Sequence, residues 1–275
     1  MKNKYNIHII YNMNIKKDKK KNQIDIIYWI NMDKSIDRRK HMQKLLKNDI
    51  FNNIEKKRIN AIDGSKLNFE SNICSIFKNL NLKKYNFNEY ACLFSHLNTL
   101  FEFSQSNYNI ALIFEDDVSL EYKKYWTTSL NEVILNAPKD WEILQLCVII
   151  DTKYFNSNDY GVLSIKENPK SLYKKISSFS TAAYIINKKA VIRFLKPIMS
   201  SFRKYGKIVL DKKISHHSDI YMYTKMKKYV YKYPLFTYLN KESLLHPNHL
   251  NSHTYSKKVL YEIVKKHYYN VKKLL

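Results

Sequence analysis

The chain has 275 residues, 45% hydrophobic and 14% aromatic, which suffices for one large core or two modest ones and excludes a disordered chain. Its 48 Lys and Arg against 24 Asp and Glu give a formal charge of +24, scattered along the chain rather than gathered in one block. Abundant Lys, Asn, Ile and Tyr beside 3 Gly and 5 Pro mark a compositional bias that explains part of that charge; an anionic substrate or an anionic membrane surface accounts for the remainder, and nucleic acid is the weaker reading. Cys74, Cys92 and Cys147 are odd in number, widely spaced and without a CxxC, which suits buried thiols in a reducing compartment. No signal-peptide pattern opens the chain and no apolar run approaches the ~20 residues of a membrane span. The expectation is a cytoplasmic protein, with any membrane contact peripheral.

In chain order, residues 1–23 read as a basic, polar lead-in, lysine-rich from Asn14 to Asn22. Ile24–Asn31 (IDIIYWIN) is short, β-branched and aromatic, as a buried strand is. A helix is predicted from Asp33 to about Lys47, with Met42, Leu45 and Leu46 on its apolar face. Ile54–Ile62 reads as a second strand, closed by the turn Asp63-Gly64. Asn88–Ser104 is predicted helical, since Leu93, Leu97, Leu100 and Phe101 fall at helical spacing. Ile110–Phe114 and Trp141–Ile150 read as apolar strands, and Ser180–Ile186 as a strand feeding the helix Lys188–Leu195. Asp219–Lys227 reads as a helix, Tyr229–Phe236 as an edge strand and Lys257–Leu275 as a basic terminal helix. Lysine pairs recur along that last helix, with Val259, Leu260, Ile263 and Val264 between them. The alternation implies an α/β layered domain over residues 24–256, with a largely parallel or mixed sheet.

The most informative stretch is Ile110–Val118, where an apolar run ends in Glu115, Asp116 and Asp117. Three adjacent carboxylates repel one another at the edge of a core, and a divalent cation would offset that cost. Open α/β sheets place ligands at the C-terminal ends of strands. A polar turn, or a helix start capped by Asp, is the plainer reading of the same residues.

Six blocks occur in order: Ile27-Tyr-Trp-Ile-Asn-Met-Asp-Lys-Ser-Ile-Asp-Arg-Arg39, Arg58-Ile-Asn-Ala-Ile-Asp-Gly64, Glu89-Tyr-Ala-Cys-Leu-Phe-Ser-His96, Ile113-Phe-Glu-Asp-Asp-Val118, Trp141-Glu-Ile-Leu-Gln-Leu146 and Ser180-Thr-Ala-Ala-Tyr-Ile-Ile-Asn187. Together they resemble glycosyltransferase family 25, the lipopolysaccharide galactosyltransferases and procollagen galactosyltransferase-like proteins, over roughly residues 24–240. One departure is Ala91, where the family often has Gly; a helix accepts Ala more readily. The resemblance implies a GT-A-like, Rossmann-type nucleotide-sugar-binding domain with a mixed central sheet. It also implies Mn²⁺ or Mg²⁺ as cofactor and transfer of a hexose, galactose or glucose, from a UDP-sugar to a hydroxyl with inversion. The acceptor would be a glycan, a lipid-linked glycan or a collagen-like protein.

In that role Asp117 is the expected metal ligand, with Asp116 and a late histidine, His246, as further candidates; His249 and His253 compete with His246. If the strand persisted, Glu115 and Asp117 would share a face and Asp116 would point away. Asn31, Asp33, Arg38, Asp63, His96, Glu115 and Asp116 are carried over as nucleotide-sugar contacts, and Asp219 as the general base. Each has a plainer alternative. Arg38 at a helix start could meet a diphosphate or pair with nearby acids, as Arg39 is expected to do. Asp63 could be a turn residue, His96 a core histidine and Asp219 an N-cap. Two rival functions stay in view: a metal-dependent nuclease or phosphoesterase, which needs carboxylates converging from several strands, and a non-catalytic basic binding module.

Overall fold

A computed structural model of the chain describes residues 23–65, 69–150, 173–174, 179–239 and 250–274. The elements in chain order are β1 (Ile26–Asn31), α1 (Ile36–Leu45), β2 (Glu55–Asn60), α2 (Phe69–Ile76), β3 (Phe77–Lys78), α3 (Phe87–Gln105), β4 (Ile110–Glu115), β5 (Val118–Ser119), α4 (Leu130–Leu135), β6 (Ile143–Gln145), β7 (Tyr173–Lys174), β8 (Ala183–Asn187), α5 (Lys188–Tyr205), β9 (Ile208–Val209), α6 (Ser218–Lys225), β10 (Lys228–Tyr231), β11 (Thr237–Tyr238) and α7 (Leu250–Lys272). Seven strands form one mixed sheet in the order β2-β1-β4-β8-β6-β10-β7. β2, β1, β4, β6 and β10 run one way, and β8 and β7 run against them.

Strand periodicity divides the core. In β1, β4 and β8 the residues Ile26, Tyr28, Ile30, Ala111, Ile113, Tyr184 and Ile186 pack on one face of the sheet, against α3, α5 and α6. Their neighbours Ile27, Trp29, Ile110, Leu112, Phe114, Ala183 and Ile185 pack on the other face, with α1, α4 and Phe236. Every residue of β1 is buried, as a strand covered on both sides requires. α3 starts on a capping box, in which Asn86 accepts from the Glu89 N–H and Glu89 accepts from the Asn86 N–H. Gly64 lies against that start: a Cβ there would sit 2.6 Å from the Phe87 carbonyl oxygen, so the loop after β2 can close on α3 only with glycine.

Several elements differ from the sequence reading. Of Trp141–Ile150 only Ile143–Gln145 forms a strand of the sheet; Leu146, Cys147, Val148 and Ile150 are apolar because they are buried under Phe236 and α7, and Ile149 makes a single antiparallel bridge to Phe179. β10 lies between β6 and β7 and is not an edge strand. α5 runs past Pro197 to Tyr205, its lost N–H outweighed by the burial of Leu195 and Ile198, and ends on Gly206 at φ 64°. α2 and α4 were not anticipated, although Ser129 and Glu132 form a capping box at the start of α4. α7 begins at Leu250, seven residues before the expected start. Its Leu260 and Val264 are buried with Tyr122, Val148, Ile150 and Val230, so its apolar stripe is spent on the domain. The lead-in segment Asn14–Asn22, His246 and His249 lie outside the described residues.

Candidate active site

The chain leaves β1 for β2 on one side and returns to β4 on the other side of β1. That reversal opens a crevice beyond the C-terminal ends of β1 and β4, where open α/β sheets bind ligands. β1 ends in Asn31 and β4 in Glu115, so the crevice receives Asn31 and the acidic triplet.

Strand parity assigns the directions. Glu115 follows Ala111 and Ile113 onto the α3 face, where His96 Nε2 lies 3.2 Å from its Oε1. Thr181 Oγ1 donates to the same oxygen at 2.5 Å. Burial alone would raise the Glu115 carboxyl, but the hydrogen bond and charge of His96, with Thr181 and Arg38, bring it below the ordinary range. Asp116 faces α1 with Asn31. Its Oδ2 accepts from Asn31 Nδ2 at 2.7 Å and its Oδ1 from Arg38 Nη1 at 2.9 Å. Asn31 is 1% exposed and fully engaged: its amide also donates to Ser35 O, and its Oδ1 accepts from Arg39 Nε and Arg58 Nε.

β4 stops at Glu115, and Asp116 and Asp117 form a turn into β5. Asp117 therefore does not share the Glu115 face as a continued strand would have required. Its Oδ2 lies 3.6 Å from Arg38 Nη1, and its Oδ1 is buried with no hydrogen-bond partner among the described residues. Burial first and the Glu115 charge second, opposed by Arg38, push the Asp117 carboxyl up to about 7. Such a group needs a proton or a cation, and a hard carboxylate oxygen without a partner fits Mg²⁺ or Mn²⁺. Asp116, whose two oxygens already hold Asn31 and Arg38, fits a ligand role less well. Arg38 is half-buried, which would lower its pKa, but Asp117 and Asp116 hold it above its usual value.

A second carboxylate reaches the crevice from α6. Asp219 is not the N-cap; His217 is. Asp219 Oδ2 accepts from the Ser180 N–H at 3.0 Å, and Ser180 holds a left-handed φ of 96°. The Ser180 carbonyl accepts from Tyr223 Oη at 2.7 Å and Gln145 Nε2 at 3.0 Å, and Lys228 Nζ donates to Gln145 Oε1. Burial brings the Lys228 ammonium down to about 8, against the pull of Asp219. Adjacent residues thus hold two carboxylates: Ser180 the Asp219 group and Thr181 the Glu115 group. Backbone strain kept in place by this many bonds is typical of functional sites.

Of the other expected contacts, Asp33 and Asp63 sit apart from this cluster, whereas His96 belongs to it through Glu115. Asp33 is exposed and paired with Arg58 and Asn60, which lower its carboxyl, and Arg39 stands 3.4 Å away. Asp63 binds Lys34 and Ser65; burial opposes, but these bonds bring it down to about 2. His96 is 1% exposed, its Nδ1 3.0 Å from Tyr184 Oη. Sequence reasoning missed Gln145, Ser180, Thr181, Tyr184, Ser218 and Lys228. Gln145 and Lys228 did carry a signal, since a polar or charged residue inside an apolar strand demands a buried partner.

An open, mixed α/β sheet with a polar crevice at its switch point is the architecture of a ligand-binding α/β protein. The sequence profile of glycosyltransferase family 25 (LPS biosynthesis protein) matches residues 24–205, and the chain belongs to that family. The matched span holds the acidic triplet, His96 and Thr181; Asp219 lies beyond it. No curated protein matches the sequence. Among solved structures the chain is similar to a glycosyltransferase involved in the glycosylation of the major capsid of PBCV-1, at 8% identity over 83% of this chain and 100% of that chain, with a TM-score of 0.36.

Proposed function

We propose that this glycosyltransferase moves a hexose from a UDP-sugar to a hydroxyl of a glycan acceptor, with inversion and with help from Mn²⁺ or Mg²⁺, on a GT-A-like domain. The observation that carries the reading is the buried, unpartnered oxygen of Asp117 at the switch point, beside Arg38. When bound, the cation supplies positive charge against the departing diphosphate. Arg38 uses only Nη1 among the described residues, which leaves its other donors for a phosphate oxygen. Asp116 and Asn31 fix that guanidinium.

Asp219 is assigned the base. It takes the acceptor proton as the acceptor oxygen bonds to the anomeric carbon and the bond from that carbon to the diphosphate breaks. Its Oδ2 is steadied by the Ser180 N–H, so the carboxylate is aimed before the acceptor arrives. A basic cavity lies on the acceptor side. Lys84, Lys212 and Lys213, with Tyr85, Ser215 and His216, line a cavity of about 310 Å³ that no acidic residue lines. Ser215 stands four residues before Asp219, at most ~14 Å along the chain. We assign that cavity to an acidic group of the acceptor.

A screen of nucleotide sugars for Mn²⁺-dependent hydrolysis tests the donor reading. One UDP-hexose should be turned over in Mn²⁺ and spared in EDTA. Absence of binding and turnover across the panel, or equal turnover in EDTA, would overturn it. The nuclease alternative finds little support, since Asp33 and Asp63 are committed to their own cations rather than converging on the triplet.

A further inference from the structure

Cys92 and His96 stand four residues apart on α3 and so share one helix face. Across from them is Glu115, and one ligand atom from each of the three lies within 4.8 Å of the others. We infer that these three side chains form a binding site for a thiophilic divalent cation of the Zn²⁺ class, separate from the hard-cation position at Asp117. A tetrahedral zinc site with sulfur, nitrogen and oxygen ligands at their usual bond lengths has ligand atoms ~3.5 Å apart. His96 Nε2 and Glu115 Oε1 are already 3.2 Å apart, so closing the site asks for a shift of about an ångström at Cys92.

The surroundings suit the assignment. Tyr184 Oη meets His96 Nδ1 at 3.0 Å, the outer hydrogen bond that orients a ligating imidazole and turns Nε2 toward the metal. Among the described residues the Cys92 sulfur makes one weak hydrogen bond, to Ser218 Oγ at 3.5 Å, so little is given up when it turns. Three protein ligands leave a fourth position on the crevice side, for water or for the hydroxyl of Ser218 or Thr181, which are 3.2 Å apart. Sulfur and imidazole select Zn²⁺ over Mg²⁺ and Mn²⁺, whereas the orphan oxygen of Asp117 has the opposite preference. A cation here competes with Thr181 for the Glu115 carboxylate.

Co²⁺ is the probe, because a cobalt–thiolate bond absorbs in the near ultraviolet and needs neither donor nor acceptor. The outcome is thereby independent of the proposed sugar transfer. The purified, reduced chain should show the charge-transfer band with intense tetrahedral visible bands, saturating at one equivalent and displaced by Zn²⁺. Cys92→Ser should lose the charge-transfer band, and Asp117→Asn should keep it. A wild-type chain without the band, a band that survives Cys92→Ser, or one lost equally in Asp117→Asn would overturn the inference. A second measurement needs no variant. Zn²⁺ should slow iodoacetamide labelling of Cys92, mapped by mass spectrometry, at least tenfold and leave Cys74 unchanged; equal slowing at both, or at neither, would overturn it too.

Discussion

Asp117→Asn should stabilise the cation-free protein while removing its activity. The carboxyl is raised from 3.8 to about 7, chiefly by burial and then by the Glu115 charge, so the folded state holds that proton more tightly than the unfolded state does. The stability gained is fully present below pH 3.8 and is lost as the pH climbs through about 7. At about 1.4 kcal/mol per pKa unit, ionisation at pH 8 costs at most about 4 kcal/mol. The side chain retains 25% exposure, which trims that ceiling, and about 1–3 kcal/mol is the expected burden. Asn keeps the shape without the charge. In EDTA at pH 8 the variant should therefore melt several degrees above wild type, at roughly 2–4 °C per kcal/mol for a chain of this size. At pH 5, part-way between the unfolded value of 3.8 and the folded value of about 7, the gap should fall to about 40% of its pH 8 size, and it should close only below pH 3.8. Mn²⁺ should raise the wild-type melting temperature at pH 8 and leave the variant unmoved. Differential scanning calorimetry over that pH range reads all of this. A variant no more stable than wild type at pH 8, or a gap equal at pH 5 and pH 8, would refute the reasoning.

Asp219→Asn should lower kcat by about 10²–10⁴-fold while donor affinity, measured by calorimetry with the UDP-sugar, stays within twofold; a collapse of donor affinity would make Asp219 a donor-site or framework residue. Replacing Lys212 and Lys213 together by Ala should raise KM for an acidic acceptor about tenfold and leave donor hydrolysis unchanged, and equal effects on acidic and neutral acceptors would count against the cavity's role. Deleting residues 250–275 strips Leu260 and Val264 from the core, at roughly 1.5–3 kcal/mol each, and should lower the melting temperature sharply; an unchanged melt would show that the helix is dispensable. With that apolar stripe buried, only the lysine pairs of α7 remain for an anionic membrane, so any vesicle binding should vanish as salt rises from 0.05 to about 0.5 M.

The layered fold was legible because its central strands obey period two against continuous burial, and its long helices obey 3.6. Ile26 to Asn31 and Ile110 to Glu115 could be read as strands, and parity alone sends Glu115 to the α3 side and Asp116 to the α1 side. What parity cannot give is where a strand ends. The ladder stops at Glu115, so Asp117 turns toward Arg38 and leaves one oxygen stranded, and no spacing in the sequence encodes that turn. The run Trp141–Ile150 fails for a related reason: hydrophobicity reports burial, and four of its residues, Leu146, Cys147, Val148 and Ile150, are buried outside the sheet, beneath Phe236 and α7.

The network at Ser180 was hidden more deeply. Its members come from β6, the Phe179–Ala182 stretch, α6 and β10, segments 35 to 83 residues apart, and each looks ordinary where it stands. Their meaning arises only when two adjacent residues, Ser180 and Thr181, are found holding carboxylates from different elements. The left-handed φ of 96° at Ser180 follows from the same arrangement: it lets one backbone unit give its N–H to Asp219 while its carbonyl receives Tyr223 and Gln145. An L-residue accepts that geometry only at a cost of about 1–3 kcal/mol, so the surrounding bonds and the strain must be read together, as the means by which the sheet hands Asp219 and Glu115 to one crevice.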